Sequence, residues 1–249
     1  MSDTGFTDFG FEQVPPLEKT RRVNRIFESV APSYNLMNDV MSFGIHRLWK
    51  RFAVHVSTVK PGAHILDVAG GTGDMASLYA GRTGPAGKVV VCDINREMLL
   101  TGRDQMLDRG LCKNISYIQA DAESLPFAEN TFDLISIAFG LRNVTDKPRA
   151  LASMYNKLKY GGPLVVLEFS EMVLPRLREW YDSYSYKLIP IMGKYIARDE
   201  QSYRYLVESI RMHPNQEKLK AMMESAGFSR VKYHNLSGGI VAMHKAYKI

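Results

Sequence analysis

The stretch "ILDVAGGTGD", residues 65–74, runs from an apolar segment through an acid into a glycine-rich loop closed by a second acid. A strand, a tight turn and a helix start read this way when backbone must come close to a ligand, because glycine accepts positive φ and adds no Cβ. Gly71-Thr72-Gly73-Asp74-Met75-Ala76 also fits the G-x-G-x-x-A spacing of a dinucleotide fold. Asp93 follows Gly73 by 20 residues, where such a fold keeps the acid that holds ribose hydroxyls. Spacing alone leaves the ligand open, and charge narrows it. Asp67 and Asp74 flank the loop and no Lys or Arg lies inside it. A pyrophosphate there would meet two carboxylates.

Outward from this loop, strand-like and helix-length segments alternate. Strands are expected near 63–68, 88–92, 115–119, 132–138 and 164–169, with helices at 74–82, 95–109 and 146–159. That rhythm predicts a parallel sheet with helices on both faces. "RVKYHNL" and "GIVAMHKAYK", joined through Ser237-Gly238-Gly239, read as a closing hairpin that adds an antiparallel strand. Upstream, residues 1–16 read as a flexible lead ending in Pro15-Pro16. Val23, Ile26, Phe27 and Val30 then follow helical spacing up to Pro32, and a mixed helical region continues to Lys60. Residues 171–212 break the alternation and hold Trp180 with six of the 13 tyrosines, which suggests a helical insertion. The expected division is a helical, substrate-covering region at 1–60 and a cofactor-binding domain at 61–249.

Bulk properties exclude several classes. No run approaches the roughly 18 apolar residues that span a bilayer, and the first residues lack a secretory pattern, so a cytoplasmic protein is expected. Cys92 and Cys112 sit in or beside apolar segments without ligand spacing, the six histidines are scattered, and no metal is expected. A net charge of +6 permits an anionic partner without requiring one.

In open α/β sheets, ligands bind beyond the carboxyl ends of the strands. Asp67, Asp93, Asp121 and Glu168 fall at or near such ends. Each acid alone is explained as well by a helix cap or a solvated loop. Their recurrence favours a ligand carrying ribose, adenine and positive charge, which describes S-adenosylmethionine. Tyr155-Asn-Lys-Leu-Lys159 fits the Y-x-x-x-K of short-chain dehydrogenases, but Leu151, Met154 and Leu158 make an apolar face there and the helix runs into Gly161-Gly162. Tyr155 reads as packing and Lys159 as solvated.

"ILDVAGGTGD", "VVVCDINREML", "QADAESLPF", "FDLISIAFGLRNV" and "LKYGGPLVVLEF" together resemble class I S-adenosylmethionine-dependent methyltransferases. "SYNLMNDVMSFGIHRLWKRF", "FGLRNV" and "SYRYLVESIRMHP" resemble, more narrowly, the ubiquinone/menaquinone biosynthesis C-methyltransferase family, from about residue 9 to 249. The resemblance implies a Rossmann-like, seven-stranded, mostly parallel sheet with an antiparallel last strand and an inserted helical segment over the substrate site. It implies cofactor contacts at Thr72 in the loop with Asp67, Gly70 and Gly71, at Asp93 for the ribose, and at Asp121 and Ala122 for the adenine. Ala138 would line the wall after the fourth strand, where the family often has Ser, leaving backbone contact alone. "LKYGG" replaces the usual "LKPGG", a small change because Pro only stiffens the turn. The implied substrate is a long-tailed quinol lacking a ring methyl: demethylmenaquinol, or 2-methoxy-6-polyprenyl-1,4-benzoquinol.

Methylating a quinol carbon requires an electron-rich ring, hence a stabilised phenolate. Arg142 and Asn143 in "FGLRN" are the candidates to stabilise and orient it, with Tyr34, Asn38 and Asp39 closing over the ring. Asp39 serves as a base or a helix cap on equal grounds, and His46 as a base or a structural residue. "HRLWKRF", residues 46–52, mixes basic and apolar side chains in a way that suits an anionic membrane surface, so peripheral contact with the inner membrane or a quinone-synthesis complex is compatible, as is a homodimer. An RNA or DNA amino-methyltransferase would show [DNS]-P-P-[YFW] after the fourth strand, where this chain reads "AFGLRN". No nucleic-acid partner is expected. A methyltransferase acting on another small molecule and a non-catalytic scaffold of a quinone-synthesis complex are the remaining alternatives.

Overall fold

The computed structural model describes residues 5–31, 38–39, 42–111, 114–174 and 200–249. The chain opens on a small antiparallel hairpin, β1 (Thr7–Phe9) and β2 (Glu12–Val14), turned at Gly10 with φ +60°. This corrects the expected flexible lead. Three-residue strands are too short for a periodicity signal, and what holds them is tertiary: Phe9 stacks on Tyr205 at 4.4 Å, and the Phe11 amide donates to Glu208 at 3.3 Å. Helix α1 (Pro16–Val30) starts with proline at its first position, where a missing N–H costs nothing. Helix α2 (Ile45–Val56) is anchored when Trp49 Nε1 donates to Ser237 Oγ at 3.0 Å.

The main sheet starts at β3 (His64–Val68), which leads through the glycine loop into α3 (Asp74–Thr83). Then come β4 (Lys88–Asp93), α4 (Arg96–Asp108), β5 (Ile115–Gln119), β6 (Leu134–Ala138), α5 (Lys147–Lys157) and β7 (Pro163–Phe169). Helices α6 (Glu200–Met212) and α7 (Gln216–Ser225) precede β8 (Ser229–Leu236) and β9 (Val241–Tyr247). The strand order is β5-β4-β3-β6-β7-β9-β8, with β9 antiparallel to both of its neighbours and the other pairs parallel. The expected sheet and closing hairpin are present.

Period-two alternation along the strands builds two cores. Leu66, Val68, Ile135, Ile137, Leu164 and Val166 face α5 and α7, meeting Leu151, Met154 and Met223. Ile65, Val89, Val91, Leu134, Val165 and Leu167 face α2 and α3, meeting Trp49, Ala53 and Met75. Asp67 falls in the second phase, so its carboxyl points to the layer that holds α2 and α3. Tyr155 packs edge-on against Phe228 at 5.1 Å, as expected, whereas Lys159 is paired with Asp133 at 2.7 Å. Cys92 is a buried free thiol, pushed up to about 12 by burial; Cys112 lies outside the described residues. Among the described residues no helix is long and apolar enough to cross a membrane.

Helix α4 braces the glycine loop through Gly102. A Cβ there would lie 2.8 Å from backbone atoms of Thr72, so helix and loop touch only because the side chain is absent. In an open helix Gly→Ala gains about 1 kcal/mol. Here overpacking against backbone costs about 1–3 kcal/mol and wins. Gly102→Ala is therefore expected to lower the urea midpoint; a raised midpoint would contradict this packing.

Candidate active site at the reversal of strand order

The strand order turns back between β3 and β6, and an open α/β sheet leaves its crevice at such a point. Both strands end in strained residues. Ala69 has φ +50° and Phe139 φ +57°, left-handed conformations that cost non-glycine residues about 1–3 kcal/mol. The surroundings enforce them. The Phe139 amide donates to Leu167 at 2.7 Å, and a Cβ on Gly140 would collide with Ala69.

The glycine loop has little left to offer an anion. The Gly70 amide donates to Cys92 O at 3.1 Å, Gly71 to Asp93 Oδ2 at 2.9 Å and Gly73 to Gly70 O at 2.8 Å. Asp93 Oδ1 also accepts from Asn95 N at 2.8 Å; burial pushes this carboxyl up, against the pull of those amides. A Cβ on Gly70 would lie 2.7 Å from Val91 and 2.9 Å from Asp67 Oδ2, so the cradle requires glycine.

Asp67 is 1% exposed. Parallel register sets it opposite Ser136 on β6, whose hydroxyl donates to Oδ1 at 2.8 Å. Oδ2 makes no hydrogen bond of good geometry within the described protein. Burial pushes the carboxyl up to about 7, opposed by Ser136, the Lys50 charge and the nearby Ala76 amide. A buried carboxyl with one unpaired oxygen and no ion-pair partner among the described residues is poised for a positively charged donor.

Lys50 reaches in from α2 and places Nζ 2.8 Å from Asp74 Oδ2. Burial raises the Asp74 carboxyl, but the Lys50 ammonium outweighs it and holds it below the usual carboxylate range. His46, one turn earlier, is buried, and its Nδ1 lies 2.7 Å from Ser42 Oγ. Burial and the Lys50 charge lower its pKa.

Across the crevice, Arg142 is 8% exposed in the short turn after β6. Its Nη1 donates to Glu168 Oε1 at 3.0 Å and to Phe139 O, and its amide donates to Glu168 Oε2 at 3.2 Å. Its Nε is buried without an acceptor among the described residues. Tyr205 of α6 donates to Asn143 Oδ1 at 3.1 Å, leaving that amide's NH2 to donate.

These residues line two adjoining cavities. The larger, about 370 Å³, holds Asp67, Gly70, Gly71, Thr72, Ala138, Arg142 and Asn143, with Lys50, Asp74 and Asn38. Its remaining wall is largely apolar, from Ile26, Phe27, Trp49, Phe139, Phe169 and Leu206. The smaller, about 100 Å³, holds Asp93, Asp121 and Ala122. Gly71, Ala138, Phe139 and Asn143 border both. The candidate cofactor residues together with Arg142, Asn143, Asn38 and His46 thus line one cleft, whereas Asp39 and Glu168 line neither cavity and Tyr34 falls outside the described residues.

Several expectations change. Glu168 is no open strand-end acid but the buried partner of Arg142. Asp121 does cap a short turn, accepting from Glu123 N at 2.9 Å, yet also lines the smaller cavity. Asp39 pairs with Arg47, whose hydrogen bonds hold its carboxyl low, which suits it poorly to take a proton. "HRLWKRF" divides: His46, Trp49 and Lys50 face inward, while Arg47, Leu48 and Arg51 are exposed. Ser136 escaped notice because it reads as an ordinary strand residue until register places it against Asp67.

The raised pKa of Asp67 fixes a sign. An unfolded Asp titrates near 3.9, so this group's contribution to stability is complete below that pH and is lost as pH rises to about 7. Asp67→Asn keeps the acceptor for Ser136 and removes the loss. Its stability relative to the parent should climb between pH 4 and 7 by up to about 1.4 kcal/mol per pH unit, then level off. Parallel pH profiles would contradict the assignment.

The model of the ubiE/COQ5 methyltransferase family matches residues 17–248. A relative from Methylococcus capsulatus, the ubiquinone/menaquinone biosynthesis C-methyltransferase UbiE, is 58% identical over 242 residues, 97% of this chain and 98% of its own. A SAM-dependent methyltransferase of Thermotoga maritima superposes with a TM-score of 0.63 at 20% identity, covering 90% of this chain and 99% of that one. The cyclase SpnF superposes with a TM-score of 0.68 at 16% identity, covering 92% and 96%. The structural likenesses speak to fold alone; the sequence match spans nearly the whole chain, and the chain belongs to the ubiE/COQ5 methyltransferase family.

Proposed function

We propose that this chain transfers the methyl group of S-adenosylmethionine to a ring carbon of a polyprenylated quinol, demethylmenaquinol or 2-methoxy-6-polyprenyl-1,4-benzoquinol. The observation that carries this reading is the junction of two unlike cavities: an acid-lined end and a larger apolar end meet at Phe139 and Asn143. The residues fit the cofactor. The unpaired Asp67 Oδ2 suits an ammonium donor, and Gly70, where a Cβ would collide with Val91 and Asp67, lets the loop close on that carboxyl. Asp93 takes the ribose hydroxyls, Asp121 and Ala122 flank the adenine, and Thr72 and Ala138 line the path between.

S-adenosylmethionine, when bound, supplies an electrophilic methyl on a sulfonium. The protein must make the ring carbon nucleophilic. Ionising a phenol of pKa about 10 at pH 7 costs about 4 kcal/mol. Arg142 meets that cost as a fixed, permanently charged donor: Glu168 and Phe139 O hold Nη1, and Nε remains to donate to the quinol oxygen. Asn143, oriented by Tyr205, positions the same oxygen or a water. Held at this cleft, the cofactor would supply its methyl to the ring carbon while the electron pair of the broken bond stays on sulfur, and the displaced ring proton would pass to the water that Asn143 positions. Trp49, Phe139 and Phe169 keep water from the methyl.

Residues 1–60 act as the cover and 61–249 as the cofactor-binding domain. Ile26, Phe27 and Val30 of α1 and His46, Trp49 and Lys50 of α2 supply the cover's share of the cavity wall. Phe43 (77% exposed) and Ile45 (40%) border the larger cavity, and Leu48 (61%) stands beside exposed Arg47 and Arg51. This rim meets an anionic lipid surface from which a tailed quinol would enter.

Labelled S-adenosylmethionine with each quinol, reduced and in detergent, tests the reaction. Label in either ring supports it and names the substrate; binding of S-adenosylhomocysteine without label in either would favour the scaffold alternative. Arg142→Lys, which keeps a charge beside Glu168 but loses the planar fork, should lower kcat about a hundredfold with cofactor affinity unchanged. Phe43→Glu with Leu48→Glu should weaken sedimentation with anionic vesicles while sparing turnover in detergent. Unchanged sedimentation would remove the membrane contact.

A further inference from the structure

We infer that Lys50 binds the α-carboxylate of the cofactor's methionine end, so that cofactor binding ties the N-terminal helix α2 to the glycine loop. The inference rests on S-adenosylmethionine being the ligand. Its methionine end is a zwitterion, with a carboxylate beside the ammonium. Asp67 answers the ammonium. The loop offers the carboxylate no cation, since residues 65–74 contain none, and the amides of Gly70, Gly71 and Gly73 already have acceptors.

Among the described residues, two Lys or Arg side chains line the cleft, Lys50 and Arg142. Arg142 is held on the far side by Glu168 and Phe139 O. Lys50 stands on the loop side. Its ammonium has three donors, and the described structure commits one of them, to Asp74 at 2.8 Å. The side chain is 11% exposed and lines the larger cavity, so little of it meets bulk solvent. Asp74, itself on the cavity wall, keeps this buried cation neutralised until a ligand arrives. A carboxylate would then take a second donor without breaking the first contact.

The competing reading is that Lys50 and Asp74 only pin α2 to α3. The two separate by ligand chemistry. Titration calorimetry would compare S-adenosylhomocysteine with its decarboxylated analogue, which keeps the adenosine, the sulfur and the amine. The unmodified protein should prefer the carboxylated ligand by more than about tenfold, and Lys50→Met should weaken that ligand about 10- to 100-fold while changing the analogue less than about threefold. Equal affinity of the unmodified protein for both ligands, or an equal loss for both in Lys50→Met, overturns the inference. If Lys50→Met does not fold, Asp74→Asn serves: the preference should persist with the pair broken, and its disappearance would assign the effect to the pair. Failure of S-adenosylhomocysteine to bind the unmodified protein at all would instead defeat the cofactor reading beneath it.

Discussion

Asp67 is the constraint around which the site is arranged. A carboxyl at the end of a central strand, fixed on one oxygen by Ser136 and open on the other, is costly in a sheet interior unless something nearby stabilises its charge. In the protein alone the response is a raised pKa and the field of Lys50. The remaining stabilisation is what a ligand bearing positive charge would supply. Gly70 must lack a side chain because Asp67 and Val91 stand so close, and Gly102 because α4 rests directly on Thr72. The same loop that hugs the ligand spends its amides internally, which is why a sulfonium cofactor suits it better than a pyrophosphate.

The second half of the site follows another buried charge. Glu168 and Arg142 neutralise each other across β7 and the turn after β6, with side chains 1% and 7% exposed. Removing one partner from such a pair strands the other, a cost of about 3–5 kcal/mol. The pair therefore behaves as one rigid group, and it leaves Nε as a donor that neither Glu168 nor Phe139 O consumes. The strained turn at Phe139 supplies a carbonyl to that group and an aromatic wall to the cleft.

Local signals carried the sheet. Alternating apolar runs, the glycine loop and the Ser237-Gly238-Gly239 hairpin set strand number and polarity, and the acids at successive strand ends located the cleft. What depends on partners distant in sequence was not legible. Ser136 matters only through its register with Asp67, and Glu168 only through Arg142. Lys50 sits among basic residues that look solvent-facing, yet helical phase turns it inward with His46 and Trp49 while Arg47 and Arg51 stay outside. The β1–β2 hairpin exists because Phe9 finds Tyr205, nearly 200 residues away, and no local pattern announces that. The fold alone would not settle the chemistry either, since a cyclase shares it.

The central claim is that this cleft was built for a cationic, adenosine-bearing ligand and not for a dinucleotide. Titration calorimetry of the intact protein with S-adenosylhomocysteine and, separately, NADH tests it most directly. S-adenosylhomocysteine should give a saturable isotherm with one site, and NADH no measurable or far weaker binding. Tighter binding of NADH would contradict it and return the glycine loop to the dinucleotide reading.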